Sequence, residues 1–457
     1  MLKRIMTVLG IVVVYRFLMQ IPVPMGDAKT FKDAMTTLIS GSDFGNFINL
    51  ISGGGLASFS IILVGISPYI TVQIISQLMT KVSPRLEQLS EDGESGRRKI
   101  NQWTRVFSVP LAAIQSATYC YILFQSMGKY SPTAFTPTAH DWFIAITAMT
   151  AGSTILMWLG ELITEQGIGN GISTIIFISI VSHFQTTAAQ IGAELFNTSN
   201  GTLSMFGWLN LPVNPTVFWV LIGFGIALLV ALYFLVKVNE AQRIITINYA
   251  KRVHGNHEYG GIKSILPIKL IAAGVIPVIF ATAFLSIPAL VGQFLTSIDS
   301  SNTFAKNLTN LFTAPSAQNF ASLYPNGIDG RWFVYPALYL VLVVMFTYFY
   351  TAVTFNTKEM ADNLQKQGGF IEGIRPGITT AKYLDRTVVR LNFFGSLTLG
   401  LIAMLPFITD YVFIILTGQP LGLSISGTGL LIVVTVGLEN LRSINSRALM
   451  VTYDDYK

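Results

Sequence analysis

Charge is scarce in this sequence. Asp, Glu, Lys and Arg together make up 11% of 457 residues, where soluble domains carry about 25%, and that deficit excludes an ordinary water-soluble class. Cysteine is nearly missing too. Cys120 stands alone, so an internal disulfide and a cysteine-rich metal site are both excluded. Of the 4 histidines, only His254 and His257 lie close in sequence. Even with Glu258 beside them they fall short of the ligand set of a structural zinc site, and the stretch reads as a solvated loop. A GxxxxGK[ST] phosphate loop is absent. The nearest approach, GIGNGIS at Gly167 to Ser173, joins two apolar runs with no strand before it, and reads as a tight cytoplasmic turn. Energy for any transport must then come from an ion gradient or a partner. No catalytic constellation, cofactor site or metal site emerges, and no enzyme is expected.

What is abundant is apolar sequence: 51% of the chain, with a mean hydropathy of +0.57. Short alternating segments of a membrane β-barrel are not seen. Runs long enough for helices fall at 5–24, 60–80, 105–127, 142–162, 171–190, 215–237, 268–290, 332–355, 388–408 and 425–441. The expected fold is an all-α polytopic membrane protein of ten transmembrane helices. The count suits two pseudo-symmetric halves of five, at 1–190 and 191–457, without strong internal sequence similarity. Lys3 and Arg4 followed by Ile5 to Tyr15 look like a signal peptide, but no small-x-small cleavage site follows, so the run is read as a retained first span. With the N-terminus inside, 23 of the 29 Lys and Arg residues fall in inner segments and 5 in outer ones, the last being Arg16 within the first span. That asymmetry places both termini in the cytoplasm. The long inner loops, 238–267 and 356–387, are the natural docking surface for cytosolic partners.

One stretch breaks the pattern. Asp43 to Phe59 is only about half apolar and is interrupted by Gly53, Gly54 and Gly55, too polar to span alone. Ser60 to Thr80 follows as a near-continuous apolar run. Irregular backbone at membrane depth is tolerated where protein buries it or where it lines a water-filled cavity. A short re-entrant piece inside an aqueous cavity is therefore expected. Pro68 and Pro277 are expected to kink their helices, either as fixed bends or as hinges of a moving gate. Ionisable residues within spans are few, Arg16 and Glu161 among them, which weakens an ion-coupled mechanism. Ile66 with Ile70, and Ile172 with Ile176, sit at helical spacing, each pair on one face.

Taken in order, the motifs resemble the SecY/Sec61-alpha family of protein-conducting channel subunits, from Lys3 to about Tyr453. They are IPVP at Ile21 to Pro24; SGG, FSI, GISPYI and QL between Ser52 and Leu78; GESGRRKINQWTR at Gly93 to Arg105; and MWLGELITEQGIGNGIS at Met157 to Ser173. INYAKR at Ile247 to Arg252, AGVIPVIFA at Ala273 to Ala281, FTYFY at Phe346 to Tyr350, KEMADNLQKQGGFIEGIRPG at Lys358 to Gly377, and GTGLLIVV at Gly427 to Val434 complete the set.

The resemblance implies a channel for secretion across, and lateral insertion into, the bacterial cytoplasmic membrane. It implies that 43–59 is a plug helix, with Asn46, Phe47, Ile51, Gly53, Gly54 and Gly55 in it. It implies a pore ring of Ile66, Ile70, Ile172, Ile176, Ile279 and Ile432, and a lateral gate that includes Thr71, Gln115, Ile271 and Pro277. Ile271 stands where the family usually has a polar asparagine, so the latch should be less polar. Lys251, Arg252 and Arg375 match positions that dock partners. The implied partners are the small membrane subunits SecE and SecG, the SecA motor, the ribosome with its RNA, the signal-recognition-particle pathway, signal peptides, nascent polypeptides and the lipid bilayer. The alternative is an ion-coupled secondary transporter of a small solute, with a polar site near the midplane.

Overall fold

The computed structural model of the chain describes residues 2–24, 59–130, 138–167, 169–196, 203–205, 209–249, 252–254, 257–259, 263–271, 274–298, 302–313, 333–417 and 423–454. In chain order the helices begin with α1 (Leu2–Leu18), α2 (Ser67–Val82), α3 (Pro84–Glu91), α4 (Glu94–Tyr130), α5 (Ala139–Gln166) and α6 (Gly171–Leu195). A hairpin of β1 (Leu203–Met205) and β2 (Leu209–Leu211) precedes α7 (Pro215–Glu240). Then come β3 (Gln242–Tyr249), β4 (Arg252–His254), β5 (His257–Tyr259) and β6 (Lys263–Lys269), followed by α8 (Ile276–Ile298) and α9 (Thr303–Phe312). The chain closes with α10 (Val334–Thr354), α11 (Thr357–Lys366), β7 (Gly369–Ile371), α12 (Ile378–Thr417) and α13 (Leu423–Asp454). Each of the runs read as a span falls on one of these helices. Among the described residues, 6 helices are long and apolar enough to cross a membrane.

Two compact units partition the chain. One comprises Met1–Ile226, Thr282–Pro336 and Leu405–Lys457; the other comprises Ala227–Ala281 and Ala337–Met404.

In the first unit, α1 stops after 17 residues, about 25 Å, which is short of the run 5–24. The IPVP segment continues it in an extended form. Val23 N–H donates to the Phe59 carbonyl at 2.9 Å, Ile61 N–H donates to Ile21 at 3.1 Å, and Ser60 Oγ donates to the Leu18 carbonyl at 3.0 Å. The apolar run 60–80 is not one helix either. Residues 61–66 form turns, with Ile62, Leu63 and Val64 buried, and the helix begins at Ser67. Backbone that leaves helical pairing in an apolar setting needs other partners. The Gly65 carbonyl accepts Ser153 Oγ at 2.8 Å, and Ser60 Oγ accepts Ile62 N–H at 3.2 Å. Gly152 of α5 permits the approach, since a Cβ there would overlap the Ile61 carbonyl.

Pro68 therefore does not kink a helix. It sits in the first turn of α2, where its missing N–H has no intrahelical partner to lose. Pro277, the second residue of α8, is placed in the same way. Both expected kinks are corrected to helix starts. The two starts share a form: Gly65 with φ +65° precedes Pro68 in GISP, and Gly274 with φ +62° precedes Pro277 in GVIP. Among the described residues, the prolines inside helices are Pro110, Pro288 and Pro406.

Around the unwound segment, Val23, Phe59, Leu63, Val64, Cys120, Leu123, Ala145 and Met149 are buried against one another. A T-shaped contact of Phe124 with Trp142, ring centroids 4.9 Å apart, extends this cluster. Helices in lipid gain little from hydrophobic burial against each other, so close packing and interhelical hydrogen bonds decide how they associate. Buried Tyr15 of α1 meets Ser179 of α6 at 2.5 Å between oxygens.

The second unit holds the only described sheet with three strands. Its order is β6-β3-β7, antiparallel throughout, with Ile245 opposite Leu266 and Ile247 opposite Ile371. One face buries Ile245, Ile268 and Ile371 on Leu384 and Val388 of α12, with Met360 and Leu364 of α11 alongside. The opposite face exposes Ile244, Thr246, Ile265 and Pro267. The loops 238–267 and 356–387, expected as a docking surface with no regular structure assigned to them, are thus joined through β3 and β7.

Candidate functional site

The expected site residues divide between the units. Ile66 and Ile70 are buried at the start of α2, with Ile70 N–H bonded to the Ile66 carbonyl at 3.1 Å, so the pair shares one helical turn. Ile172 and Ile176 are half-buried on α6, and Ile432 is buried on α13. All five belong to the first unit. Ile279 is buried in the first turns of α8 in the second unit. Asn46, Phe47, Ile51, Gly53, Gly54 and Gly55 lie outside the described residues, as does Lys251.

Thr71 of α2 is buried, and among the described residues its Oγ1 has no hydrogen-bond partner; neither has the buried Oε1 of Gln115 on α4. An unsatisfied buried polar atom costs about 1–3 kcal/mol. Ile271 is buried just beyond β6 and rests against Gly395 of α12, where a Cβ would come 3.4 Å from Ile271 Cγ1 and would overlap the Leu270 carbonyl. Pro277 is buried at the head of α8. Arg375 is exposed on the turn between β7 and α12, its carbonyl accepting Thr380 Oγ1 at 2.9 Å. Arg252 opens β4.

The GIGNGIS stretch is a helix-to-helix turn. Gly167 closes α5 in the left-handed region at φ +72°. The amides at the head of α6 are taken: Gly171 N–H by Thr164 Oγ1 at 2.9 Å and Ile172 N–H by Asn170 Oδ1 at 3.0 Å. With those donors occupied, no phosphate cradle is present. His254 and His257 oppose each other across the β4–β5 hairpin. Among the described residues no group of three or more His, Cys, Asp or Glu is placed to hold a metal ion.

Sequence reading missed one pairing. Arg105 of α4 and Glu161 of α5 form an ion pair with Nε and Oε1 2.5 Å apart, and the Glu161 side chain is only 18% exposed. Both residues were visible in the sequence, but nothing in the spacing joined them. Arg16, read as lying within a span, stands in the last turn of α1, where a cation complements the carbonyl end of the helix dipole.

Comparison with known proteins agrees with this architecture. The SecY family model matches residues 60–441. A protein translocase subunit SecY of Streptomyces coelicolor is 37% identical over 460 residues, covering 99% of this chain and 96% of the relative. The SecY subunit of Thermus thermophilus is 37% identical over 455 residues, covering 99% and 94%. Among solved structures, a SecY protein studied for the role of its plug domain in the closed channel superposes with a TM-score of 0.63 at 18% identity, covering 96% of this chain and 91% of that one. A protein-conducting channel gives 0.60 at 19%, covering 95% and 91%. The folds coincide at identities too low to carry more than the fold, while the curated relatives match from end to end. A multi-pass membrane protein with buried, unwound starts to two of its helices and this sequence kinship has one place: the chain belongs to the SecY family.

Proposed function

We propose that this chain is the protein-conducting channel of a bacterial Sec translocase, in which unfolded polypeptides cross a narrow apolar constriction. The observation that carries the reading is the largely buried, irregular segment 61–66, which ends at Ile66 one turn before Ile70 and departs from helix within an apolar run. With Ile172, Ile176, Ile279 and Ile432 it supplies branched apolar side chains and no charge. Such a ring dewets a narrow pore and blocks ions. It also closes around a passing chain without offering hydrogen bonds that would hold it. The segment 43–59, including Asn46, Phe47, Ile51, Gly53, Gly54 and Gly55, is the plug on this reading. The halves 1–190 and 191–457 are its two walls.

Thr71, Gln115, Ile271 and Pro277 belong to the lateral gate in this proposal. The oxygens of Thr71 and Gln115, without a partner among the described residues, are acceptors for donor groups of an entering signal segment, which recover part of the desolvation cost. An apolar segment of roughly 20 residues then partitions sideways into lipid.

The sheet that joins 238–267 to 356–387 makes one cytoplasmic platform. On this reading Arg252, Arg375 and Lys251, the residue before Arg252 in the sequence, are the contacts for the SecA motor and for the ribosome. Phosphate attraction favours the ribosomal RNA as their partner there. SecE and SecG complete the membrane complex, and the signal-recognition-particle pathway delivers nascent chains. The membrane is the bacterial cytoplasmic one, with both termini inside. The solute-transporter alternative has no support: the relatives that match the chain end to end are translocase subunits.

The test uses a Cys120→Ser background with single cysteines at Ile70 or Ile279. A secretory chain with its own cysteine is stalled in the complex, and disulfide cross-linking is scored. Cross-links at both positions, lost when the signal segment is deleted, are expected. Absence of both during demonstrated translocation removes the ring assignment.

A further inference from the structure

The α5–α6 turn is held from outside by α13, and nothing in the channel reading accounts for that. Ser443 Oγ donates to the Gly167 carbonyl at 3.0 Å and accepts Gly169 N–H at 3.2 Å. One turn back along α13, Asn440 Nδ2 donates to Thr174 Oγ1 at 3.3 Å. Thr174 Oγ1 in turn donates to the Asn170 carbonyl at 2.9 Å. The fit leaves no spare room. A Cβ at Gly169 would overlap Asn440 Oδ1, and one at Gly167 would overlap the Arg447 guanidinium. Both glycines have positive φ, +72° and +69°, so the turn needs them for its backbone and its contact alike.

From this end the two helices run antiparallel. Gly437 faces Phe177 and Gly429 faces Ile180. Ile432 of α13 and Ile176 of α6 therefore stand on two helices whose relative height is set at one end by a polar clasp. Small residues along the rest of the contact allow close approach but do not fix axial position, because a smooth apolar surface slides. A hydrogen-bonded clasp does fix it, since a slip of one residue breaks every bond at once.

We propose that Asn440 and Ser443, closing on the GIGNG turn, are positioning residues that set the register of α13 against α6 and thereby the height of Ile432 relative to Ile172 and Ile176. The proposal rests on the reading of those isoleucines as the channel constriction. Loss of the clasp lets α13 shift and opens a gap in the apolar seal, with no change in the seal residues themselves.

A ruler for register is built into the contact. A Cβ at Gly429 would lie 4.0 Å from Ile180 Cβ, within the separation a disulfide spans. The full chain carrying Cys120→Ser, Ile180→Cys and Gly429→Cys is expressed with its membrane partners and reconstituted into liposomes. It is compared with the same chain bearing Asn440→Ala and Ser443→Ala. The clasp variant loses three hydrogen bonds and is expected to form the 180–429 disulfide at least about fivefold more slowly, the scale of a single ordinary hydrogen bond, and to leak ions several-fold faster when reduced. Oxidation to the disulfide should suppress that leak, because a covalent bond then replaces the clasp. Unchanged disulfide kinetics in inserted protein overturn the proposal. Slower kinetics without a leak uphold the clasp and remove the constriction reading instead. If the double variant fails to accumulate, Ser443→Thr, which keeps a hydroxyl, and Ser443→Val, which has the same shape without one, carry the comparison. A difference between them in disulfide rate upholds the clasp, and equality overturns it.

Discussion

At the scale of residues, glycines have opposite roles in neighbouring helices. Gly65 stands at φ +65° and turns the chain into α2, whereas Gly10 lies inside α1 with nothing within 4 Å of an added Cβ. Gly65→Ala should destabilise the protein by about 1 kcal/mol or more, because an L-residue is strained in the left-handed region. Gly10→Ala should stabilise it by about 0.5–1 kcal/mol through helix propensity. Thermal unfolding of the purified protein in detergent should move down for the first and up for the second. The Arg105–Glu161 pair allows a second test. Arg105→Gln leaves the mostly buried Glu161 carboxylate alone and should cost about 1–3 kcal/mol, given that Arg105 itself is 47% exposed. Adding Glu161→Gln removes the stranded charge and should restore most of the loss. The double-mutant coupling in the same melts measures the pair. If the double variant melts no higher than Arg105→Gln alone, the pair is not what stabilises the α4–α5 contact. The two prolines show where sequence reading stops at this scale. GISP and GVIP were both plain to see, but whether a proline kinks a helix or starts one depends on whether the preceding residues are helical. Buried acceptors such as the Gly65 carbonyl, answered by the distant Ser153, decided that, and no local signal reports them.

Elements were more legible than their edges. Hydropathy found the ten long apolar helices, because apolar runs of this length have few other uses, and missed the short α3, α9 and α11; it also placed the seventh span at 268–290 where α8 runs Ile276–Ile298. The apolar run is continuous there because strand, unwound segment and helix are all buried: Ile268, Ile271 and Val275 are as enclosed as Val278. Composition marks burial and is blind to the change of backbone. The three-stranded sheet escaped for a related reason. The pairing of Ile247 with Ile371 is far apart in sequence, and β7 is only 3 residues long, too short for an alternating pattern to register. Its buried face makes a direct prediction. Ile245→Asp places a carboxylate among Ile268, Ile371 and Leu384, with no cation in the cluster to answer it, and should undo the sheet while leaving the membrane helices inserted. Limited proteolysis from the cytoplasmic side should then cut within 238–270 and 356–377 much faster than in the parent, with the membrane-embedded fragments intact. Equal cutting rates would mean that the sheet does not hold the two loops together.

At the scale of the whole molecule, the uneven distribution of Lys and Arg among the segments between the spans is as legible in the sequence as hydropathy, since it needs no knowledge of packing, and the orientation proposed above follows from it. Which residues meet across the fold is not legible in this way: the α6–α13 clasp depends on contacts between helices far apart in the chain. Orientation can be tested without disturbing those contacts. Cys120 is fully buried, so a membrane-impermeant maleimide should leave the parent chain unlabelled in intact cells and again after lysis without detergent. Against that silent background, single cysteines at exposed lysines report the side of the membrane. Lys306 on α9, Lys263 on β6 and Lys382 on α12 are all exposed. With 23 of 29 cationic side chains assigned inside, Lys306→Cys should label from outside in spheroplasts, while Lys263→Cys and Lys382→Cys should label only after the cells are broken. The opposite pattern would invert the channel and move the basic platform away from the cytoplasm. The docking role proposed for Arg375 would then fail, because its side chain would lie on the wrong side of the membrane. Labelling of Lys306 and Lys263 from the same side would be more damaging still, because α8 separates them in the chain and must then fail to cross. The experiment therefore tests the crossing of α8 and the siting of the loops 238–267 and 356–387 together, and the charge asymmetry requires both.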